Sequence, residues 1–260
     1  MADRVQFFEH VGDLAYAGFM KPVWMSFRDL TDPRQALELF LSTYAFEHQG
    51  RSPAYAPAAV ASLRSTRPVN GQRLWVGFRE LLGERDPNRT NNPLSHERSD
   101  CSCIACQFAP GGQLRNLVTL ARDGMRDGRI PEVRRELMAI RGVGPKIASF
   151  FMRDVALWFD IRPTSDRELL QPVDIWVRRA VEMDDKSIPD GEVQRWICTR
   201  FNQPEKANHG MWYFGSQVAR SSFQLDYAMR GRNRAERLLD NHVASFAAVV
   251  EAHATSKGAP

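Results

Sequence analysis

The sequence lacks the features of membrane and secreted proteins. No apolar run approaches the roughly 18 residues that a membrane-spanning helix needs. The first ten residues include Asp3, Arg4 and Glu9 and contain no apolar signal core. Only four cysteines occur, and three of them lie between Cys101 and Cys106, which is not the pattern of a disulfide framework. We therefore expect a cytoplasmic protein without a membrane partner.

Lysine is also scarce, since only five of the 35 basic residues are lysines. The formal net charge is +4, which is compatible with a nucleic-acid partner but does not require one. Arginine stays protonated, so it can bind phosphate but cannot act as an amine nucleophile. Lys146, directly after a glycine turn, is therefore a candidate for amine chemistry.

No stretch alternates like a β-strand, and apolar residues recur at helical spacing, so we expect an all-α fold. The expected helices cover 32–50, 57–67, 71–82, 113–127, 131–140, 145–159, 172–184, 190–201, 207–229 and 233–253. The polar, turn-rich segment 83–112 is expected to be a long loop. The expected domains are a helical lobe at 30–112, completed by the termini, a second helical lobe at 113–230, and a C-terminal helix and tail at 231–260.

The segment 140–146 (Ile-Arg-Gly-Val-Gly-Pro-Lys) has the pattern of a turn between two helices. The two glycines flank a valine where the chain must turn sharply, and the proline suits the first position of the following helix. Free backbone N–H groups and the dipole at the start of that helix favour phosphate binding. The residues predicted to contact a phosphate backbone are Arg141, Gly142, Val143 and Gly144. The alternative is a tight corner between two helices with no ligand.

Two residues in this region have types suited to catalysis. Lys146 would begin the second helix beside Phe150 and Phe151, where burial and the helix dipole would disfavour its ammonium form. A neutral amine can attack a sugar C1′ and form a Schiff base. Asp174 follows Pro172 and Val173 at the head of a later helix, where a carboxylate could take up a proton and stabilise positive charge on the sugar. An N-cap is the alternative role for this aspartate.

Together these motifs resemble the helix-hairpin-helix DNA glycosylases with the Gly/Pro-Asp loop, the superfamily of endonuclease III and the 8-oxoguanine glycosylases. The resemblance covers residues 113–230 and rests on the runs 142–146 and 172–174. It implies a two-lobed all-α fold with a central cleft. It also implies a monomeric protein that acts on damaged double-stranded DNA and is nucleoid-associated if the source is bacterial or archaeal. Lys146 matches the lysine of the bifunctional members, which cut the glycosidic bond and then nick the strand, and Asp174 matches the shared aspartate. No cofactor is required for this catalysis.

The sequence departs from that family at several points. Arg141 stands where many relatives have proline, and Trp176 replaces a frequent histidine. The separation of 28 residues between Lys146 and Asp174 is longer than in endonuclease III-like members and is similar to that of the archaeal-type 8-oxoguanine glycosylases. The C-terminal four-cysteine iron–sulfur loop of the family is absent, because Cys198 is the only cysteine after position 174.

The remaining cysteines form a separate candidate metal site. Cys101, Cys103 and Cys106 could converge on zinc or an iron–sulfur cluster, with His96 or Cys198 as a fourth ligand. The spacing matches no common zinc pattern well, and free thiols in a loop are the alternative.

A base-flipping enzyme stacks the extruded base on aromatic rings and reads it by hydrogen bonds. The candidates for this base pocket are Phe150, Trp212, Phe214 and Gln217. Core packing is the alternative for aromatic residues on a helix. Candidates for a polar wedge that fills the gap left by the base are Asn70, Gln72 and Arg73.

The expected function is that of a DNA glycosylase with AP lyase activity on an oxidised base, with 8-oxoguanine favoured. One alternative is a helix-hairpin-helix DNA-binding module without catalysis, in which Lys146 only contacts phosphate. Another is a monofunctional glycosylase acting on alkylated or deaminated bases.

Overall fold

The computed structural model describes residues 2–46, 52–83, 91–96 and 101–257. All regular secondary structure in these ranges is helical, which confirms the all-α class. The α-helices are α1 (Ala2–Ala15), α2 (Lys21–Met25), α3 (Pro33–Thr43), α4 (Tyr55–Ser65), α5 (Gly71–Leu82), α6 (Ile104–Phe108), α7 (Leu117–Arg126), α8 (Ile130–Met138), α9 (Pro145–Trp158), α10 (Ile175–Glu182), α11 (Val193–Arg200), α12 (Pro204–Tyr213), α13 (Ser222–Met229) and α14 (Arg232–Lys257). None of the helices in the described ranges is both long and apolar enough to cross a membrane.

The observed helix bounds agree best with the expected ones where a side chain caps the start of the helix. α5 spans Gly71–Leu82 as expected, and the Asn70 side chain accepts a hydrogen bond from the backbone N–H of Arg73 at 3.1 Å. The expected helix 207–229 is wrong as a single element. A π-helical turn at Phe214–Ala219 follows α12, and Arg220 then adopts a left-handed conformation (φ 59°) before α13 begins.

Chain contacts divide the molecule into two compact units. The terminal unit comprises Met1–Gly18 and Val173–Pro260, and the middle unit comprises Phe19–Pro172. These units differ from the expected ranges 30–112, 113–230 and 231–260, because the boundary falls inside the expected second lobe. The first helix joins the C-terminal half of the chain, a long-range pairing that no local pattern reveals.

Close packing of α1 against α12 organises the terminal unit. A Cβ on Gly210 would lie 2.0 Å from the carbonyl oxygen of Phe8, and a Cβ on Gly12 would lie 2.1 Å from that of Lys206. Only glycine allows the two backbones to approach so closely. Phe7 packs edge-to-face on Phe214 with ring centroids 5.2 Å apart, and a buried apolar cluster surrounds this pair.

In the middle unit, α9 is enclosed by protein along most of its length, as its apolar sequence predicts. Its two central charges are buried together: Arg153 donates from Nε and Nη2 to Oδ1 of Asp154 at 2.9 and 2.8 Å. The hydroxyl of Tyr44 donates to Oδ2 of Asp154 at 2.9 Å and accepts from Nε1 of Trp24 at 3.2 Å. Burial raises the pKa of Asp154, and the contacts with Arg153 and Tyr44 oppose that shift. Hydrogen bonds to both carboxylate oxygens allow the charges to be accommodated in the interior.

Part of the segment 83–112 is helical, whereas a loop was expected. Residues 84–90 and 97–100 lie outside the described part of the chain. Within the described part, α6 and a short 3-10 turn at Pro110–Gly112 occupy the end of the segment. α6 begins at the cysteines, so it positions the candidate metal ligands.

Candidate functional site

The predicted turn between two helices is present in the middle unit, between the end of α8 at Met138 and the start of α9 at Pro145. Gly142 has φ +77°, a left-handed conformation that favours glycine, and the N–H of Val143 bonds to the Ile140 carbonyl at 3.0 Å. We call residues 139–144 with the adjoining helix ends the hairpin. Its backbone reversal therefore depends on the first of the two glycines.

The second glycine has a different character. Gly144 is extended (φ −89°, ψ −180°) and precedes α9 as its N-cap residue. A Cβ built on Gly144 would meet no heavy atom within 4 Å. Nothing in the local backbone requires glycine here, so its smallness leaves open space beside the first turn of α9.

Lys146 is the second residue of α9 and is exposed to solvent. The neighbouring Phe151 does not wall off the amine, because its ring packs in the core 5.1 Å from Phe40 and 5.2 Å from Tyr44. Phe150 is half-buried and stacks with the guanidinium of Arg153, whose carbon lies 4.4 Å from the ring centroid. The apolar enclosure expected for Lys146 is therefore wrong, whereas its position at a helix start is confirmed.

Asp174 lies in the terminal unit and is half-buried. Its Oδ1 accepts hydrogen bonds from the backbone N–H groups of Trp176 and Val177, both at 2.9 Å, so it caps α10. Among the described residues, both hydrogen bonds of this carboxylate fall on Oδ1. The capping role is thus confirmed, and Oδ2 makes no hydrogen bond in this part of the chain.

Arg141 points into the protein rather than into solvent, with 8% of its surface exposed. Its Nη1 donates to the carbonyl oxygen of Ser95 at 2.6 Å, and its backbone N–H donates to the carbonyl oxygen of Ser102 at 2.7 Å. The side chain is therefore engaged with the loop that carries the cysteines. This arrangement replaces the phosphate contact that the sequence suggests for the guanidinium.

Three of the candidate metal ligands converge in the middle unit. Nδ1 of His96 lies 3.4 Å from Sγ of Cys103 and 3.7 Å from Sγ of Cys106, and the two sulfurs are 3.2 Å apart. This His/Cys/Cys cluster can hold a metal ion. Cys101 is exposed, and its thiol makes a hydrogen bond with that of Cys106. Of the two candidates for the additional ligand, His96 lies with Cys103 and Cys106, and Cys198 lies on α11 of the terminal unit.

Several contacts hold the cluster in place. The N–H of Cys106 donates to Sγ of Cys103 at 3.3 Å, and the N–H of Ile104 donates to the carbonyl of Pro93 at 2.8 Å. A Cβ on Gly71, the first residue of α5, would lie 2.7 Å from Nδ1 of His96. Burial, followed by the hydrogen bond and charge of Cys103, raises the pKa of the Cys106 thiol.

Phe150, among the predicted base-pocket residues, belongs to the middle unit, and the other three belong to the terminal unit. Phe214 is fully buried and belongs to the core with Phe7, so the stacking role predicted for it is wrong and core packing holds. Trp212 is half-buried and packs against that core, 5.9 Å from the His209 ring. Gln217 is half-buried, and its Nε2 donates to the Ser216 hydroxyl at 3.3 Å. Trp212 and Gln217 remain predictions for base contact.

The three predicted wedge residues surround the start of α5. Asn70 serves as the N-cap of α5, as described above, while Gln72 and Arg73 are exposed. The cap is a complete structural reason for the asparagine.

The contacts of Arg141 could not be predicted from the sequence, because they join positions that are 46 and 39 residues apart.

No protein-family model matches the chain, and no solved structure matches it. The chain is similar to a protein of Methanocaldococcus jannaschii named Uncharacterized protein MJECL21, with 27% identity over 207 residues. The matched region covers 68% of this chain and 48% of the archaeal protein, so the chain spans about half the length of this relative. That name states no activity.

Proposed function

We propose that the chain is a DNA base-excision glycosylase with AP lyase activity, which removes an oxidised base from duplex DNA, with 8-oxoguanine favoured. The proposal includes the two-lobed, central-cleft fold of the helix-hairpin-helix glycosylases that the sequence resembles. The observation that carries it is an exposed lysine in the first turn of α9, two residues after Gly144, which has open space beside it. The glycosylase and lyase reactions need a site that binds the phosphate backbone and an amine nucleophile beside it. The start of a helix can bind phosphate, and Lys146 is the second residue of the same helix.

In the proposed reaction, the neutral amine of Lys146 attacks C1′ of the damaged nucleotide. The C1′–N bond breaks, the base leaves with the bonding electrons and takes up a proton, and the amine loses one proton as the new C–N bond forms. Opening of the sugar ring gives an iminium ion. Loss of a C2′ proton then breaks the C3′–O bond and nicks the strand, and water finally hydrolyses the iminium and frees the lysine.

Asp174 is the carboxylate proposed to assist, by taking up a proton and by stabilising the positive charge that develops on the sugar. The α10 cap uses only its Oδ1, so Oδ2 stays available for this role. The backbone of Gly142, Val143 and Gly144 is proposed to contact the phosphates. The open side of Gly144 supports close approach of a sugar-phosphate chain.

A non-catalytic DNA-binding module is the second candidate, favoured by the exposure of Lys146. A solvated ammonium group at the start of a helix suits a phosphate contact as well as it suits catalysis. In this case the hairpin would bind duplex DNA and leave the glycosidic bond intact.

Borohydride trapping on duplexes that each carry one defined lesion distinguishes these functions. Borohydride reduces an iminium to a stable amine, so wild-type protein should become covalently linked to DNA, and Lys146→Gln should not. Lys21→Gln is the matched control, because Lys21 is also exposed at the start of a helix in the middle unit. DNA binding without an adduct on any lesion would support the module, and base release without nicking would support a monofunctional glycosylase.

The proposal also includes a metal at the Cys101–Cys106 loop, either zinc or an iron–sulfur cluster. The metal has no part in the proposed Schiff-base chemistry, which uses Lys146, Asp174 and water. Its place beside the hairpin indicates a structural role.

A further inference from the structure

We infer that His96, Cys101, Cys103 and Cys106 bind a single zinc ion, and that this ion fixes the base of the hairpin. This inference specifies the metal, its fourth ligand and its role. Its metal-binding part stands whether or not the chain is a glycosylase.

The spacing of the three converged ligands suits one small ion. In a tetrahedral zinc site, with Zn–S of about 2.3 Å and Zn–N of about 2.0 Å, two sulfurs lie about 3.8 Å apart, and a sulfur and a nitrogen about 3.5 Å apart. The distances between the ligand atoms of His96, Cys103 and Cys106 are 3.2, 3.4 and 3.7 Å. Separation of the two sulfurs by about 0.6 Å, with smaller shifts of the nitrogen, would therefore make these three atoms one face of the tetrahedron around one ion.

An iron–sulfur cluster fits this spacing less well. Each thiolate of a four-iron cluster binds a different iron atom, so its sulfurs are further apart than those that share one ion. Sulfurs 3.2 Å apart would have to separate widely to hold such a cluster. Soft thiolates combined with an imidazole are also a common zinc donor set.

Cys101 supplies the fourth ligand in this assignment. Its thiol already makes a hydrogen bond with that of Cys106, although it lies outside the compact group of three. Cys101 has a left-handed backbone (φ +48°) and is exposed. A rotation of its side chain toward the other three ligands completes a Cys₃His set, which is a known structural zinc type.

The surroundings of the cluster resemble the outer shell of a metal site. The N–H of Cys106 bonds to Sγ of Cys103, an interaction that stabilises a thiolate. Gly71 brings the start of α5 against the His96 ring, with room for no Cβ, and so restricts the orientation of Nδ1 toward the sulfurs. Such contacts orient ligands before the ion binds.

Two hydrogen bonds connect this site to the hairpin. Arg141 binds the carbonyl of Ser95, one residue before the ligand His96, and the carbonyl of Ser102, between the ligands Cys101 and Cys103. An ion that ties His96 to the cysteines therefore holds both acceptors of Arg141 at a fixed separation. Loss of the ion frees the two carbonyls and loosens residue 141, the residue before Gly142.

Metal analysis of the wild-type chain, purified without oxygen, tests the site directly. The expected result is one zinc per chain, with no acid-labile sulfide. Replacement by cobalt should give the intense visible bands of a tetrahedral thiolate site. His96→Ala and Cys106→Ser should each lose the zinc, while Cys198→Ser, which changes a cysteine of the other unit, should keep it. Wild-type protein without zinc, or with iron and sulfide, would overturn the assignment.

Hydrogen exchange on zinc-loaded and chelator-treated wild-type protein tests the link to the hairpin. The amide of Arg141, which bonds to Ser102, should lose protection on zinc removal, while the amides of α3 should not. Equal protection at residue 141 in the two states would refute the coupling. Neither measurement uses DNA, so failure of the glycosylase proposal would leave both results interpretable.

Discussion

The guanidinium of Arg141 donates a hydrogen bond of 2.6 Å to the carbonyl oxygen of Ser95, and the two residues are buried together. This contact joins the residue before Gly142 to the residue before His96. The hairpin and the candidate metal site are therefore one connected structure in the middle unit, although 46 residues separate the two partners along the chain.

Arg141→Lys should lower the free energy of unfolding by about 1–3 kcal/mol, because it removes a charge-assisted hydrogen bond from a buried carbonyl. Zinc content should stay at the wild-type value, since the ligands are unchanged. Denaturant unfolding together with metal analysis checks both expectations. Arg135→Lys, on the exposed side of α8, is the matched control and should change stability by less than about 0.5 kcal/mol. Equal stability of the two variants would show that the Arg141 contact is energetically unimportant.

Substitutions at the two hairpin glycines should affect different properties of the protein. Gly142→Ala places a Cβ at φ +77° and should cost about 1–2 kcal/mol of stability. Gly144→Ala fits the extended backbone and the open space, so its stability should change by no more than about 1 kcal/mol. If a phosphate backbone approaches Gly144, the added methyl group should weaken duplex binding nonetheless. Fluorescence anisotropy with a labelled duplex measures that affinity, and unchanged binding by Gly144→Ala would argue against contact at this point.

Asp174→Asn separates the capping role from the chemical role. Asparagine caps a helix about as well as aspartate, so this variant should unfold like the wild type, whereas Asp174→Ala should lose about 0.5–2 kcal/mol. Single-turnover base excision should fall in both variants, because each removes the carboxylate charge. Full excision activity in Asp174→Asn would mean that the residue acts as a cap alone.

Local signals explain which parts of the fold could be predicted. Asn70 and Asp32 accept hydrogen bonds from the N–H groups of their own first helical turns, so α5 and α3 begin where the sequence places them. His96 lies close to the cysteines in sequence, and proximity made it a reasonable ligand. These features depend on interactions across fewer than about ten residues, which pattern reasoning captures.

Long-range packing accounts for the features that could not be predicted. The pairing of α1 with α12 depends on Gly12 and Gly210. The need for a small residue at these positions is visible only once the two helices are known to be in contact. A phenylalanine can either stack on a base or pack in the core, so the residue type of Phe214 does not distinguish the two roles. Its burial against Phe7 identifies it as a core residue. Lys146 shows the converse, since its apolar neighbours in sequence turn toward Tyr44 and leave the amine exposed.

Phe214→Ala should therefore destabilise the protein by about 3–5 kcal/mol through the cavity it leaves in the terminal unit. Phe223→Ala is the control, because 78% of Phe223 is exposed and its loss should stay within about 0.5 kcal/mol. Thermal and denaturant unfolding measure both. A Phe214→Ala variant of wild-type stability with reduced base excision would restore the stacking role.

Tyr44→Phe should show how strongly the buried polar network depends on one hydroxyl. The phenol accepts from Nε1 of Trp24 and donates to Oδ2 of Asp154, and its removal leaves a buried donor and a buried acceptor without this partner. Each unsatisfied group costs about 1–3 kcal/mol, so two such groups would cost about 2–6 kcal/mol together. Because the neighbouring side chains can relax in part, the loss of stability should be about 2–3 kcal/mol. Burial raises the pKa of Tyr44 well above its ordinary value, so the hydroxyl keeps its proton throughout the pH range in which the protein is studied. Ionisation of the Tyr44 hydroxyl should therefore contribute nothing to any difference in this loss between pH 6 and pH 8, which lie about two units or more below the usual tyrosine pKa. Tyr227→Phe, at an exposed ring in the terminal unit, should leave stability unchanged, and a Tyr44→Phe variant that behaved like it would show that Trp24 and Asp154 find other partners.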